Sequence, residues 1–220
     1  MFIGHFAVAL GAKRYAPQTS LAMLVAAAQL ADLLWPVFLA LGLEHVRFNP
    51  DASPFLRLDF LDYPYSHSLL ALIVWGLVLG GVYRAITQKT RALWIIAGLV
   101  VSHWVLDVAT HNRDMPLYPG SIKVGLGLWN SVPATLIVET ILYAIGLWIY
   151  VRSTRARDAI GRWAFAALAV FLIIAYAASL GSLPPSLQAL YLSAIAGAAV
   201  LLLWCWWADE HRAAVAAPDV

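Results

Sequence analysis

The sequence has little charge and almost no cysteine. Only 12% of its 220 residues are Asp, Glu, Lys or Arg, well below the usual share in soluble domains. The single cysteine, Cys205, excludes an internal disulfide and has no neighbour in sequence that would activate its thiolate, which predicts a packing role. Apolar residues make up 62% of the chain. This composition predicts a membrane protein.

Two further signals are missing from the sequence. The N-terminus lacks the order of a signal peptide, because the basic pair Lys13 and Arg14 follows the first apolar stretch instead of preceding it. No basic patch alternates with aromatic residues as a base-stacking surface would require. We therefore expect no cleaved leader and no nucleic-acid partner.

Long apolar runs predict an all-α integral membrane protein with a single membrane domain over residues 1–220. Six runs each provide the roughly 20 residues that cross about 30 Å of hydrocarbon. A shorter segment, Phe2 to Ala12, predicts a half-helix, since about 11 residues at about 1.5 Å each reach only halfway across. The predicted spans are Thr19 to Leu43, Tyr65 to Ala85, Ala92 to Thr110, Val132 to Val151, Trp163 to Leu180 and Leu187 to Trp207.

The distribution of basic residues predicts the orientation in the membrane. Ten of the fourteen Lys and Arg residues fall on one side of the predicted bilayer, and four on the other. Because short cytoplasmic loops carry the excess of Lys and Arg, both termini are expected in the cytoplasm. The two long loops, Glu44 to Pro64 and Asn112 to Ser131, are then external.

Ionisable residues within the predicted spans occupy one half of the bilayer. Such side chains are costly in hydrocarbon unless they are paired, so each needs an explanation. The last two spans contain none, whereas the first four carry six that all fall in the outer half. His5 joins this group if the half-helix rises from the cytoplasmic side. The six are Asp32, His67, His103, Asp107, His111 and Glu139.

The spacing within "SHWVLDVATH" indicates metal binding. His103, Asp107 and His111 follow one another at intervals of four and therefore share one helix face. Imidazole nitrogen together with carboxylate oxygen suits zinc or another divalent first-row ion. The central Asp107 could bridge two ions roughly 3.5–4 Å apart. The structural alternative is that these groups hydrogen-bond between helices, with His67 and His111 facing headgroups and Glu139 pairing with a histidine or a loop arginine.

The order of motifs resembles a known family. "GH" near the N-terminus, Asp32 in the first span, "YSHS", "SHWVLD" and "PLYP" are similar to bacterial inner-membrane proteins labelled membrane-bound metal-dependent hydrolases, which look like distant relatives of zinc-dependent phospholipase C. The resemblance covers Met1 to Tyr150, and residues 151–220 are expected to be two scaffold helices. It implies one ion held by Asp32, His67, His103 and Asp107, and a second that shares Asp107 and takes His5. His111 and Glu139 could complete a site of one to three ions, with zinc favoured.

The resemblance implies hydrolysis. The sequence contains no nucleophile-elbow motif, so a metal-dependent mechanism is expected rather than one with a serine or cysteine nucleophile. We expect Glu139, or else Asp32, to act as general base on a lipid-like phosphoester or other ester that enters sideways from the outer half of the bilayer. Gln29, one turn before Asp32, is expected to orient that carboxylate. The alternatives are a metal-stabilised scaffold and a proton or metal-ion transporter, although a transporter should carry polar residues into the cytoplasmic half.

Overall fold

The computed structural model describes residues 1–181 and 183–215, and helices dominate them. The all-α membrane architecture expected from the sequence is therefore confirmed. The helices are α1 (Ile3–Ala12), α2 (Leu21–Ala28), α3 (Leu30–Ala40), α4 (Leu69–Thr87), α5 (Thr90–Thr110), α6 (Val132–Ser153), α7 (Ala159–Ser179) and α8 (Leu187–Glu210).

Five of these helices, α4 to α8, are long and apolar enough to span a membrane. The first predicted span differs from expectation, because α2 and α3 are two short helices bent by 60° at Gln29. Counted as one broken span, the pair brings the number to six among the described residues. The expectation of one continuous helix over Thr19 to Leu43 was wrong, and the short N-terminal helix is present as α1.

Short antiparallel strand pairs, which the sequence did not predict, order the segments between the helices. Strands β1 (His45–Phe48) and β2 (Leu58–Asp62) pair antiparallel in the first long loop, on either side of a 3-10 turn. Strands β3 (Met115–Pro116) and β4 (Lys123–Val124) also pair antiparallel, in the second long loop. At the other end of the bundle, β5 (Thr154–Ala156) pairs with β6 (Arg212–Ala214) after α8.

Glycines let helices approach closely at two places that position the site. A Cβ on Gly146 of α6 would lie 2.3 Å from the Ala7 carbonyl oxygen, so α1 packs directly on the α6 backbone. A Cβ on Gly80 of α4 would lie 2.6 Å from the Leu93 carbonyl oxygen of α5. These contacts fix α1 against α6, and α5 against α4, without intervening side chains.

A buried ion pair joins the end of α1 to the last turn of α8. Lys13 Nζ lies 2.6 Å from Asp209 Oδ2 and donates to the Thr19 carbonyl oxygen at 2.9 Å. Asp209 also accepts from the Leu21 amide at 2.9 Å and from the Tyr150 hydroxyl at 2.7 Å. We call these five residues the Lys13–Asp209 cluster. It was missed because α8 extends three residues beyond its predicted end at Trp207.

Candidate metal centre

A cavity of about 560 Å³ lies between α1, α3, α8 and the two long loops. Most of its wall is apolar. Its ionisable side chains lie in or next to α3, α4, α5 and α6, apart from Arg57 of the first long loop, which donates to the Leu180 carbonyl oxygen at 3.0 Å. Those that the sequence singled out are Asp32, His67, Asp107, His111 and Glu139.

The structure brings the predicted ligands together around Asp107. His103 Nε2 lies 3.1 Å from Asp107 Oδ2 and 3.8 Å from Asp32 Oδ1. His67 Nε2 lies 3.5 Å from Asp32 Oδ1 and 3.9 Å from Asp107 Oδ2. All of these side chains are buried except Asp32, whose carboxylate faces the cavity. We call them, with His5 and His111, the His/Asp centre.

The two oxygens of Asp107 face different partners. Oδ1 lies 3.1 Å from His5 Nε2 and also contacts the amino group of Met1. Oδ2 faces His67, His103 and, at 3.9 Å, His111 Nε2. Donor atoms of His5, His103 and Asp107 lie within 4.8 Å of one another, as do those of Asp32, His67 and His103. This is the arrangement that a bridging carboxylate requires.

Three of the imidazoles are oriented through their Nδ1 atoms. His103 Nδ1 lies 2.8 Å from the Ala28 carbonyl oxygen, at the point where α2 ends. His67 Nδ1 lies 2.7 Å from the Ser66 hydroxyl, and His111 Nδ1 lies 3.2 Å from Asp114 Oδ1. Because a carbonyl and a carboxylate only accept hydrogen bonds, they assign the proton to Nδ1. Each Nε2 lone pair then points toward the centre, as in metal-ligating histidines.

The orientation of His67 depends on a residue that the sequence did not reveal. Glu44 is fully buried and accepts from the Tyr65 and Ser66 amides, both at 2.8 Å. It also accepts from the Ser66 hydroxyl at 2.6 Å, so the Ser66 oxygen is left to accept from His67 Nδ1. The pairing joins positions 22 residues apart, and only the "YSHS" motif hinted at Ser66.

His111 does not face the headgroups, as the structural alternative had it. The helix α5 stops at Thr110, and His111 is buried as its C-cap residue. Its ring packs between Trp129, with centroids 4.1 Å apart, and Phe60 at 5.1 Å. Burial raises the pKa of the neighbouring Tyr63 phenol, which stays protonated and donates to Met115 Sδ at 3.3 Å. The two long loops therefore close over the centre.

Glu139 is held by the N-terminal turn of α1. Its Oε2 accepts from the Phe2 amide at 2.8 Å and the Gly4 amide at 3.2 Å. Its Oε1 is buried and has no hydrogen-bond partner among the described residues, so the pairing with a histidine or arginine considered above is not what holds it. Gln29 could orient the Asp32 carboxylate only by donating from Nε2, and the described residues contain no hydrogen bond between these two side chains; Gln29 Oε1 is also without a partner there.

A family comparison agrees with the membrane architecture. A family model described as YdjM inner membrane protein matches residues 1–182. The chain belongs to the YdjM inner membrane protein family. No curated protein and no solved structure matches it significantly. The YdjM match includes α1 to α7 and every residue of the His/Asp centre, and it ends before α8 begins.

The residues of this YdjM chain fit a divalent ion. His103 Nε2 is buried without a hydrogen-bond partner in residues 1–181 and 183–215. With its proton on Nδ1, Nε2 faces Asp107 Oδ2 across 3.1 Å as one acceptor facing another, which is favourable only with a cation or a proton between them. Nitrogen and carboxylate donors in this number suit zinc.

Proposed function

We propose that this YdjM protein is a membrane-embedded, metal-dependent hydrolase that cleaves a phosphoester or other ester in a lipid-like substrate. One observation carries the proposal: three imidazoles, each oriented through Nδ1, aim Nε2 at Asp107 Oδ2, and two of them, His67 and His103, also face Asp32. Residues of this arrangement line a largely apolar cavity. A ligand there would have its polar part at the centre and its apolar part along the walls.

Asp32, His67, His103 and Asp107 would hold one ion, and His5 would hold a second that shares Asp107, with His111 at the margin. A bound divalent ion supplies Lewis acidity and lowers the pKa of water. Glu139 would take a proton through Oε1, because Oε2 accepts from two backbone amides and Oε1 has no partner in the described chain. Asp32, the other candidate base, reaches the cavity but lies within 4 Å of two imidazoles.

Two observations favour hydrolysis over the alternatives. A scaffold that uses metal only for stability has no need of a cavity beside the centre, whereas a substrate does. A transporter needs a polar route onward from the centre. The other buried ion pair in the described residues is Lys13–Asp209. Both of its partners make further hydrogen bonds and neither lines this cavity, so the pair does not extend the centre into such a route.

The proposal includes an orientation with both termini in the cytoplasm and the hairpin loops outside. It rests on the excess of Lys and Arg in the connections on the terminal side. Reporter fusions after Arg155 and after Asp51 test it. We expect the first to be active only with a cytoplasmic reporter and the second only with a periplasmic one; the reverse pattern would put the centre in the inner half of the bilayer.

The activity test uses purified protein with zinc and a panel of phospholipids and acyl esters. We expect turnover that chelation abolishes and zinc restores. Asp107→Asn should lose both zinc and turnover, because its two oxygens face both groups of imidazoles. Asp62→Asn, which changes an exposed carboxylate in the first hairpin, is the matched control and should retain both. A protein that binds zinc but cleaves nothing in the panel is a scaffold, not a hydrolase.

A further inference from the structure

One face of α8 forms the apolar wall of the cavity. Its lining residues recur at intervals of three and four, so they lie on a single helix face. From Leu190 to Leu202 this face runs about 18 Å, slightly more than the hydrocarbon of one leaflet, which is about half of a roughly 30 Å core. The face comprises Leu190, Ser193, Ala194, Gly197, Ala198, Leu201 and Leu202, and the Ser193 hydroxyl donates to the Leu190 carbonyl oxygen of the same helix at 3.0 Å.

The middle of this face is made of small residues that leave space open. A Cβ added to Gly197 would meet no atom within 4 Å. By contrast, a Cβ on Gly80 or Gly146 would collide with the backbone of a neighbouring helix. Gly197 therefore does not serve close helix packing. Together with Ala194 and Ala198 it keeps the cavity wide alongside α8.

We propose that this α8 face binds the aliphatic chain of the substrate and sets the chain length that the protein accepts. The inference rests on the proposed function, since it places the ester group of the same molecule at the His/Asp centre. The lining of the cavity indicates the occupant. Residues of the His/Asp centre supply a polar part, and the α8 face, apolar except for Ser193, supplies a long apolar wall, so the cavity fits an amphiphile with an extended aliphatic chain. A free phosphate or a soluble ester would leave the α8 wall uncovered.

The family match covers the His/Asp centre but not the α8 face. The residues of the His/Asp centre all lie within the matched region, residues 1–182, and the α8 face lies beyond it. Chemistry and chain selection thus belong to separate parts of the sequence. A change in the α8 face is then expected to alter which lipid binds without altering the metal.

The test measures binding, not turnover. Short-chain and long-chain alkylphosphonates, which carry an anionic head but no cleavable ester, are titrated into zinc-loaded protein in nanodiscs. Wild type should bind the long-chain compound more tightly. Gly197→Leu fills the open space and should weaken long-chain binding by about tenfold or more, with zinc content and short-chain binding unchanged. Gly98→Leu is the matched control, because Gly98 is also a helical glycine with open space, lies on the surface of α5 and does not line the cavity.

The outcomes separate the two proposals. Equal binding of both chain lengths by wild type, or unchanged long-chain binding by Gly197→Leu, overturns the role of α8. An equal loss of short-chain and long-chain binding overturns it too, because the variant then disturbs the head site. If the chain-length preference and its loss are observed but no ester is cleaved, the chain site stands and the hydrolase proposal fails.

Discussion

Two buried polar groups lie near the two ends of α1, and they are built in opposite ways. His5 belongs to the His/Asp centre, and Lys13, about 12 Å further along the chain, belongs to the Lys13–Asp209 cluster. In the cluster both carboxylate oxygens of Asp209 accept hydrogen bonds, and Lys13 has two acceptors. In the centre, His5 Nδ1, His103 Nε2 and the nearby Glu139 Oε1 have no partner in the described chain.

This difference separates a structural role from a functional one. Burying a polar atom without a partner costs free energy, so a folded chain retains such atoms only where something else satisfies them. The Lys13–Asp209 cluster is complete within the protein and joins α1, α6 and α8. The His/Asp centre is incomplete within the protein and opens onto a cavity. We therefore expect mutations in the cluster to change stability, and mutations in the centre to change ligand binding.

The largest expected effect is that of Asp209→Ala. This change leaves the buried ammonium of Lys13 without its counter-charge and removes the acceptor of Tyr150 and Leu21. The unfolding free energy, measured by titration with denaturing detergent, should fall by about 3–5 kcal/mol. Glu210→Ala, at the neighbouring exposed position, is the control and should change it by less than about 0.5 kcal/mol.

A double variant refines the same comparison. Lys13→Met combined with Asp209→Leu removes both charges and should recover most of the lost stability, because apolar replacements of buried ion pairs are often neutral. If the double variant is as unstable as Asp209→Ala, the contribution of the cluster comes from the hydrogen bonds to Tyr150 and Leu21, not from the ion pair.

The centre should respond in the opposite way, which His103→Asn tests. The asparagine amide can still donate to the Ala28 carbonyl oxygen, so the change deletes chiefly Nε2. Without zinc, the unfolding free energy should stay near that of wild type. Zinc at about a hundredfold above its Kd should stabilise wild type by about 2.7 kcal/mol and the variant far less.

The control for this experiment is His45→Asn, since His45 is exposed and pairs with Asp62 away from the centre. It should keep the full stabilisation by zinc. Two results would contradict the comparison: a His103→Asn protein that zinc still stabilises fully, or one that is as unstable without zinc as Asp209→Ala. The first removes His103 as a ligand, and the second makes the centre a structural cluster.

The sequence predicted the helices well because their signal is local. Long apolar runs identified α4 to α8 within a few residues, and the depth of the ionisable residues placed five of them beside one cavity. The break between α2 and α3 could not be predicted in this way. The stretch "AAAQLAD" contains neither Gly nor Pro at the bend, and the contact made there, from His103 to Ala28, joins residues 75 apart.

The residues missed at the centre share that cause only in part. Glu44 and Asp114 lie in loops, where polar residues are ordinary. Glu44 reaches Ser66 only through a contact between positions 22 residues apart, whereas Asp114 lies three residues after His111, just beyond the end of α5. Asp209 was missed because the apolar run that predicted α8 ends at Trp207, whereas the helix continues to Glu210. Sequence pattern thus located the donors that face the cavity, whereas the contact from His103 to Ala28 and the one from Ser66 to Glu44 depend on long-range packing. The assignment of the donors as metal ligands remains a prediction.

Ser66→Ala tests whether orientation from outside the centre matters. The change removes the acceptor of His67 Nδ1 and breaks the link to Glu44, while no donor that faces the centre is altered. Zinc affinity should fall by about 10–100-fold, as measured by competition with a chelating dye. Ser102→Ala is a close control: this serine also precedes a histidine, but its hydroxyl donates to the Leu99 carbonyl oxygen. Equal zinc affinities in the two variants would show that the Glu44–Ser66 link does not orient His67.

A smaller loss of stability than that of Asp209→Ala is expected in the cluster from Tyr150→Phe. This change removes one neutral donor to Asp209 Oδ1 and leaves the ion pair with Lys13 in place. Because hydrogen bonds to charged groups contribute more than neutral ones, the unfolding free energy should fall by about 1.5–3 kcal/mol. Tyr143→Phe is the matched comparison, since that buried hydroxyl donates to the uncharged Ala169 carbonyl oxygen at 3.0 Å, and it should cost about 0.5–1.5 kcal/mol. Neither variant should change zinc binding, because neither tyrosine contacts the His/Asp centre or lines the cavity. A Tyr150→Phe protein that loses zinc would mean that the two ends of α1 are coupled, and the division between a structural cluster and a binding centre would then be wrong.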